Sequence, residues 1–204
     1  MRWTRPARTE RAPFVSVVEN ATAAASLRAF DHQIHTMKLH IIAITLLAFV
    51  TAAFAESKIT LTGVHNCCKS CAKGIEKAVT SVSGATAACD KDSITITAGS
   101  DADVQKATDA LIAAGYTGTG NNAAIKVTPG TAPDETVTSL TITGTHLCCG
   151  KCVTGVEKAV LAVPGVKSHT ATKNAESFKI EGEFNAKAVM AALARAGYTG
   201  KATK

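Results

Sequence analysis

A gap-free internal duplication constrains this 204-residue chain more than any other feature. Residues 63–84, "GVHNCCKSCAKGIEKAVTSVSG", match residues 144–165, "GTHLCCGKCVTGVEKAVLAVPG", at twelve of 22 positions. The match returns towards the end of each copy, where "DALIAAGYTG" at 109–118 aligns with "AALARAGYTG" at 191–200. A repeat of this length predicts two copies of one small folded unit rather than one larger domain.

The stretch between the two copies has the composition of a linker. Residues 128–136, "TPGTAPDET", contain two prolines and a glycine, which predict a turn-rich connection. We therefore expect a first domain at 56–127 and a second at 137–204. The chain is 46% hydrophobic but only 4% aromatic, so each core is expected to consist mainly of small side chains.

Residues 37–55, "MKLHIIAITLLAFVTAAFA", have the features of a signal peptide. A short basic start precedes an apolar run at 41–53, and Ala53-Phe54-Ala55 has the small-x-small pattern of a cleavage site. The run is shorter than the ~20 residues that a membrane-spanning helix needs. We therefore expect export and cleavage near Ala55, which gives a periplasmic or secreted protein without a stable membrane anchor.

The first 36 residues are typical of neither a core nor a linker. We interpret 1–36 either as a start codon assigned too early, with Met37 the true initiator, or as an extended basic leader. Residues 1–55 carry six basic and three acidic residues and so account for +3 of the formal charge of +6. Because the remaining charge is weak and dispersed, we expect no nucleic-acid partner.

The periodicity of each copy predicts the element order βαββαβ. In the first copy "KITLTG" alternates as a strand does, and Ile75, Val79 and Val82 fall on one face of a helix. Two short strands follow in "GATAACDKDSITITAG", then a helix from Ser100 to Gly115 and a final strand in "AAIKV". The second copy has only "TGKATK" for its last strand. This order predicts an α+β fold with two ferredoxin-like sandwich domains in tandem, each with two helices on one face of an antiparallel sheet.

Each copy carries one histidine and three cysteines within seven residues, between its first strand and its first helix. Unpaired N–H groups at a helix start favour thiolate over thiol, and thiolates select soft ions such as Cu(I) or Zn(II). We therefore expect a heavy-metal cation to bind there, up to about one per domain. The candidate ligands are His65, Cys67, Cys68 and Cys71 in the first copy, and His146, Cys148, Cys149 and Cys152 in the second.

The first cysteine and the histidine of each loop have two possible roles. If the loop curls, His65 and all three cysteines can complete a tetrahedral shell of the kind that zinc prefers. If the backbone stays extended, adjacent cysteines point to opposite sides. Cys68 and Cys71 then form the core pair, Cys67 serves as an exchange ligand or in a second site, and the histidine is solvated or packed. The same alternatives apply to the second loop.

These features together resemble the heavy-metal-associated domain, over about 57–127 and 138–204. The resemblance rests on the βαββαβ order, the Cys-x-x-Cys that opens the first helix, the Val-x-Gly after that helix, and the closing "AAGYTG". The family includes copper chaperones, the periplasmic mercury-binding protein and the amino-terminal domains of metal-pumping P-type ATPases. It implies metal ligands at Cys68 and Cys71, and at Cys149 and Cys152.

The loop departs from the family's usual Met-x-Cys-x-x-Cys, because Asn66 and Leu147 occupy the methionine position. The double cysteine is similar to the Cys-Cys-x-x-Glu loop of plant zinc-pump domains, with Cys71 and Cys152 in place of the glutamate. This departure favours Zn(II) or Cd(II), although an all-sulfur site also holds Cu(I) or Hg(II) well.

Three residues outside the loops complete the expectations. Tyr116 and Tyr198 match the family's aromatic residue beside the metal loop, and we expect them to cap the core with their hydroxyls at the surface. Cys89 has no counterpart in the second copy, and we expect it to be a small buried residue on a strand.

The sequence therefore favours a non-enzymatic exported protein that captures soft metals and sequesters them or transfers them. Its expected partners are metal ions and a membrane metal transporter or another metal-binding protein. One alternative is a secreted dithiol/disulfide redox protein, because exported thiols often oxidise, but three cysteines per loop leave an odd thiol. The other is a secreted interaction module whose cysteines only reinforce small domains.

Overall fold

The structure, a computed structural model, describes residues 56–204. Both copies follow the predicted βαββαβ order. The first contains β1 (Ser57–Thr62), α1 (Lys69–Thr80), β2 (Thr86–Cys89), β3 (Ser93–Ala98), α2 (Asp101–Ala113) and β4 (Thr119–Gly120). The second contains β5 (Thr136–Thr143), α3 (Gly150–Leu161), β6 (Val166–His169), β7 (Ser177–Asn185), α4 (Ala186–Arg195) and β8 (Lys201–Thr203).

Each copy forms one four-stranded sheet in which all the paired strands are antiparallel. The strand orders are β2-β3-β1-β4 and β6-β7-β5-β8. This order confirms the expected α+β, ferredoxin-like fold. Because β1 and β5 are central strands, the loop that follows each of them leaves from the middle of its sheet.

The first helix of each copy packs on its sheet through a short apolar stripe. Helix α1 buries Cys71, Ile75 and Val79, and α3 buries the equivalent side chains in the second copy. These side chains belong to the same buried cluster as the strand residues Ile59 and Ile96. Since the stripe begins with a cysteine, the hydrophobic core extends directly to the cysteine-rich loop.

The second helix of the first copy has conventional ends. The Ser100 hydroxyl caps α2 by accepting a hydrogen bond from the backbone N–H of Asp103 at 3.2 Å, as N-cap residues do. The chain leaves the helix through Gly115, whose φ is +89°. A left-handed glycine after a helix lets the chain turn sharply, and here it directs the next residues towards the second copy.

Two sequence-based expectations are wrong. Residues 123–127, "AAIKV", form no strand, since the last strand of the first copy is the short β4, which pairs with Leu61 and Thr62. Ile125 is nevertheless buried, so the apolar pattern there reflects burial rather than strand pairing. Cys89, expected to be buried, is exposed, because it ends β2 at the edge of the sheet.

The signal-peptide interpretation of 37–55 and the two interpretations of 1–36 concern residues outside the described part of the chain. Within residues 56–204, no helix combines the length and the apolar character needed to cross a bilayer.

Candidate metal centre

Two equivalent loops carry the candidate ligands, one between β1 and α1 and the other between β5 and α3. Each loop leaves its strand through a glycine with positive φ, Gly63 at +73° and Gly144 at +76°, a conformation that other residues rarely adopt. Each ends at a cysteine with extended backbone in the N-cap position, Cys68 before α1 and Cys149 before α3. The unpaired N–H groups of both helix starts are therefore next to cysteine sulfurs.

The two loops lie against each other, because the segments that close the two copies exchange hydrogen bonds. The backbone N–H of Thr117 donates to the carbonyl of Gly197 at 3.2 Å, and the N–H of Thr199 donates to the carbonyl of Gly115 at 3.2 Å. The exchange is reciprocal, so an approximate two-fold axis relates the two copies at this point.

Gly115 and Gly197 allow this close approach. A β-carbon at Gly115 would collide with backbone atoms of residues 144–146, just before the cysteines of the second copy. A β-carbon at Gly197 would collide with backbone atoms of residues 63–65 in the first copy. Each glycine therefore packs on the cysteine-rich loop of the other copy. The contact joins the two loops without using any cysteine.

The six loop cysteines bring their sulfur atoms into one cluster, and all six are free thiols. Their separations exceed the ~2.05 Å of a disulfide bond. The sulfur pairs within a loop are Cys67–Cys71 at 3.6 Å, Cys68–Cys71 at 3.5 Å, Cys148–Cys152 at 3.7 Å and Cys149–Cys152 at 3.6 Å. The pairs between loops are Cys67–Cys149 at 3.8 Å, Cys67–Cys152 at 3.6 Å, Cys68–Cys148 at 3.7 Å, Cys71–Cys148 at 3.6 Å and Cys71–Cys152 at 3.7 Å.

The six sulfurs occupy the corners of a distorted octahedron. In addition to the pairs above, the sulfurs of Cys67, Cys68 and Cys149 lie within 4.8 Å of one another, as do those of Cys148, Cys149 and Cys152. Together these distances form the edges of an octahedron. Its opposite corners are Cys67 and Cys148, Cys68 and Cys152, and Cys71 and Cys149.

Four stacked aromatic rings lie beside the cysteine cluster. His65 lies between Tyr198 and Tyr116, with ring centroids 3.9 and 4.7 Å apart, and Tyr116 stacks on His146 at 4.6 Å. The two inner rings, His65 and Tyr116, belong to the first copy, and the two outer rings belong to the second. The backbones of the two tyrosines also form an isolated antiparallel bridge. Three of the four stacked rings, those of His65, Tyr116 and Tyr198, belong to buried residues, so these rings shield one side of the sulfur cluster from water.

The candidate histidines face this cluster in different ways. His65 Nδ1 lies 2.7 Å from the carbonyl of Gly197 and therefore donates to it, so Nε2 is the unprotonated nitrogen of the neutral ring. A ring nitrogen of His65 is within 4.8 Å of the sulfurs of Cys71 and Cys152. In the described part of the chain, Nε2 of His65 and Nε2 of His146 are both buried without a hydrogen-bond partner.

The two tyrosines differ from the expectation that their hydroxyls reach the surface. Tyr116 is fully buried, and its hydroxyl donates to the carbonyl of Cys71 at 3.1 Å. A β-carbon at Gly74 would collide with that hydroxyl, and one at Gly155 would collide with the hydroxyl of Tyr198. The hydroxyls therefore pack against α1 and α3 at Gly74 and Gly155, and that of Tyr116 also supports the backbone at Cys71.

The thiols differ in acidity according to their place in the loop. A hydrogen bond from the backbone N–H of Cys71 lowers the pKa of Cys68 to about 6, and the N–H of Cys152 lowers the pKa of Cys149. Burial instead raises the pKa of Cys67 and of Cys148. Each loop therefore offers one readily formed thiolate at its helix start, whereas Cys67 and Cys148 lose their protons less easily.

The structure brings all eight sequence-predicted site residues to one place. Cys67 contacts Cys71 of its own loop at 3.6 Å and two sulfurs of the other loop at 3.6 and 3.8 Å, so both loops contribute to its surroundings. The sequence analysis missed Gly115 and Gly197 as residues of this centre. Their recurrence in "AGYTG" was visible, but it carried no sign of a contact between the copies.

Comparison with known proteins finds a copper-transporting relative of part of the chain. No family model matches the chain. Over 143 residues, or 67% of the chain, it is 32% identical to Copper-transporting ATPase 2 of Rhizobium meliloti (strain 1021), of which it spans only 15%.

Two solved structures are similar at low superposition scores. A chain from "Crosstalk between Cu(I) and Zn(II) homeostasis" is 28% identical, with 34% of this chain and 99% of that chain covered and a TM-score of 0.28. The "Solution structure of the N-terminal soluble domains of Bacillus subtilis CopA" is 18% identical, with coverage of 74% and 95% and a TM-score of 0.27. Neither superposition is close enough for a comparison of sites.

Proposed function

We propose that this chain is an exported, non-enzymatic protein that binds soft heavy-metal cations through the cysteines of its two loops. The observation that carries the proposal is the cluster of six free thiols, in which nine sulfur pairs are 3.5–3.8 Å apart. Thiolates this close repel one another unless cations lie between them. Soft ions, namely Cu(I), Zn(II), Cd(II) and Hg(II), are the cations that thiolates select.

The burial of the cluster favours capture and sequestration over rapid exchange. The sulfurs of Cys71 and Cys152 belong to fully buried residues, so a bound ion is largely out of reach of water and competing ligands. The other four loop cysteines are partly exposed, and among them Cys68 and Cys149, whose pKa values are lowered, are the proposed points where an ion enters or leaves. Transfer then requires a partner that supplies its own soft ligands at this edge.

A membrane metal transporter or another metal-binding protein is the proposed partner for transfer. The similarity to part of a copper-transporting ATPase supports this choice, since metal in a transport system passes between proteins by exchange of ligands. Export rests on the signal-peptide features of residues 37–55. Amino-terminal sequencing of the protein recovered from outside the cytoplasm tests it, with Glu56 as the expected first residue.

Metal analysis of the full chain tests the binding function. The reduced, anaerobic chain is exposed to each metal in turn, separated from free metal by gel filtration, and analysed for metal and protein. We expect thiol-dependent metal that is lost when Cys68 and Cys149 are both replaced by Ser. The matched control is Cys89→Ser, which changes a thiol outside the cluster and is expected to retain the metal.

The competing redox function predicts the opposite result. Cys68 has a lowered pKa and a partner sulfur 3.5 Å away, features that dithiol oxidoreductases also use. A chain that retains no metal but rapidly reduces a disulfide substrate would contradict the metal-binding function and favour this alternative.

A further inference from the structure

We propose that the six thiolates hold four monovalent soft cations, physiologically Cu(I), in one cluster in which each cation is bound by three sulfurs. The proposal rests on the metal-binding function above and specifies its stoichiometry, its metal class and its geometry. It differs from the sequence-based expectation of up to about one ion per domain.

The faces of the sulfur octahedron are of the right size for an ion with three thiolate ligands. The face formed by Cys68, Cys71 and Cys148 has edges of 3.5, 3.6 and 3.7 Å. Its centre is about 2.1 Å from each sulfur, close to the ~2.3 Å of metal–thiolate bonds. A small outward displacement of the ion from the plane of the face gives the full bond length.

Only alternate faces can be filled at the same time. Ions on two faces that share an edge would be about 1.7 Å apart, where the repulsion between like charges is prohibitive. The eight faces of an octahedron divide into two sets of four, and the faces within a set, called alternate faces, share no edge. Every corner belongs to two faces of each set. One such set is Cys67, Cys68 and Cys149; Cys68, Cys71 and Cys148; Cys148, Cys149 and Cys152; and Cys67, Cys71 and Cys152.

The other set of alternate faces is equivalent, because the approximate two-fold relation between the copies exchanges the two sets. Both contain two faces with all edges of 3.8 Å or less and two wider faces. The number of cations is four in either set. Every filled face in the set given above, except that of Cys148, Cys149 and Cys152, takes sulfurs from both loops.

The same geometry disfavours a zinc-type site. A tetrahedral Zn(II) ion needs four sulfurs that are all about 3.8 Å from one another. Any four corners of an octahedron include at least one opposite pair, about 1.4 times the edge length apart, so binding of Zn(II) requires the cluster to rearrange. Three-coordinate Cu(I) fits the faces with edges of 3.8 Å or less as they stand, and the two wider faces of a set, with edges of up to 4.8 Å, need only to contract slightly. Thiolates select this ion.

The charge of the loaded cluster suits its surroundings. Four Cu⁺ ions replace six thiol protons, so the products are one cluster of net charge −2 and six released protons, and no electron is transferred. The residual negative charge lies between the N-termini of α1 and α3, whose first residues follow Cys68 and Cys149. Helix N-termini stabilise negative charge.

The test is anaerobic titration of the reduced full chain with Cu(I), followed by native mass spectrometry. We expect one dominant loaded form with four copper ions, because each thiolate is shared by two ions and partial clusters leave faces incomplete. X-ray absorption at the copper edge is expected to show a copper–copper scattering shell. A plateau at one or two ions without this shell would overturn the four-ion cluster while leaving metal binding intact, whereas a chain that retains no metal would refute both.

Two single-cysteine variants sharpen the result. Cys67→Ser removes one corner and leaves two faces incomplete, so loading is expected to fall from four ions to two. Cys89→Ser is expected to remain at four. If Cys67→Ser still binds four ions with an unchanged copper–copper shell, the cluster does not have the proposed geometry. Circular dichroism of the apo variants establishes that both retain the fold.

Discussion

At the scale of single residues, the adjacent cysteines of each loop differ in the acidity of their thiols. Cys68 contacts its loop partner Cys71 at 3.5 Å and has a lowered pKa because of a backbone N–H. Cys67 contacts Cys149 and Cys152 of the other loop and has a raised pKa because of burial. The extended backbone at Cys68 lets neighbouring side chains diverge in this way. Both cysteines of each pair contact the other loop, since Cys68 also lies 3.7 Å from Cys148, but only the second has a lowered pKa and is the reactive thiol.

Alkylation rates should report this difference. With limiting iodoacetamide at pH 7, we expect Cys68 of the apo protein to react at least about ten times faster than Cys67, because the thiolate is the nucleophile. Cys149 should react faster than Cys148 for the same reason. Peptide mapping by mass spectrometry measures all four rates, with the exposed Cys89 as an internal reference. Equal rates at Cys67 and Cys68 would contradict the assigned acidities.

His65 should make the apo protein sensitive to acid. Burial lowers the pKa of His65 to about 4, whereas the ring of an unfolded chain has a pKa near 6.5. Above pH 6.5 the ring is neutral in both states. As pH falls from 6.5 towards 4 the unfolded chain binds a proton that the folded chain excludes, so the free energy of unfolding falls by roughly 3 kcal/mol.

Urea unfolding of the apo protein between pH 7 and pH 4 measures this loss. In His65→Gln the free energy of unfolding is expected to fall less over this pH range. Part of the remaining fall is due to His146, because burial also lowers its pKa. The control His169→Gln changes a histidine on strand β6 and should follow the wild-type curve. Identical pH dependence in the wild type and His65→Gln would contradict the role given to His65.

At the scale of elements, the glycines that follow the helices separate folding of a copy from docking of the two copies. Gly84 after α1 and Gly115 after α2 have similar φ angles, +78° and +89°. A β-carbon at Gly84 meets open space, whereas one at Gly115 collides with the loop of the other copy. The pair therefore provides a matched comparison in which the backbone strain is similar and only one substitution blocks docking.

We expect Gly115→Ala to impair the shared centre and Gly84→Ala to leave it intact. In both variants the free energy of unfolding should fall by about 1–2 kcal/mol because alanine is strained at positive φ. In Gly115→Ala it should fall further because the new β-carbon collides with the other copy. Copper loading of Gly115→Ala should fall below that of the wild type, because sulfurs of the separate loops no longer complete the shared faces. Equal loading of the two variants would show that docking through Gly115 is not needed for the centre.

The elements themselves could largely be predicted from the sequence. The alternation in "KITLTG" and the apolar stripe of α1 follow from local periodicity, and both agree with the structure. The strand expected at 123–127 failed because β4 is set by pairing with the end of β1 rather than by its own pattern. Cys89 was misjudged for a similar reason, since its exposure depends on the position of β2 at the edge of the sheet.

At the scale of the whole molecule, the meeting of the two loops could not be predicted from either copy. The candidate ligands themselves were identified from their spacing, because that signal is local. Their convergence depends on the contact of Gly115 and Gly197 with the opposite loops, which involves residues far apart in sequence. The only hint was the odd third cysteine of each loop, which finds its nearest partners in the other copy as well as its own.

Metal should therefore stabilise both copies together. Binding to the folded state alone adds about 4 kcal/mol to the free energy of unfolding when free metal exceeds the Kd by a thousandfold. We expect thermal unfolding of the loaded protein as one transition at higher temperature, which returns to the apo value when a strong chelator removes the metal. Two transitions, of which metal shifts only one, would contradict a centre shared by both copies. The control is the double variant Cys67→Ser, Cys148→Ser. Any stabilisation by metal that remains in this variant does not require those two sulfurs.

The reciprocal packing of the loops also limits how the two copies can diverge. After duplication, one unit is ordinarily free to change its specificity while the other preserves the original role. Here a loss at Cys67 would damage sulfur triangles that contain Cys149 and Cys152, so a change in one unit is also a change in the site of the other. We therefore expect the two loops to change together, because selection for a new metal would act on both halves of the gene.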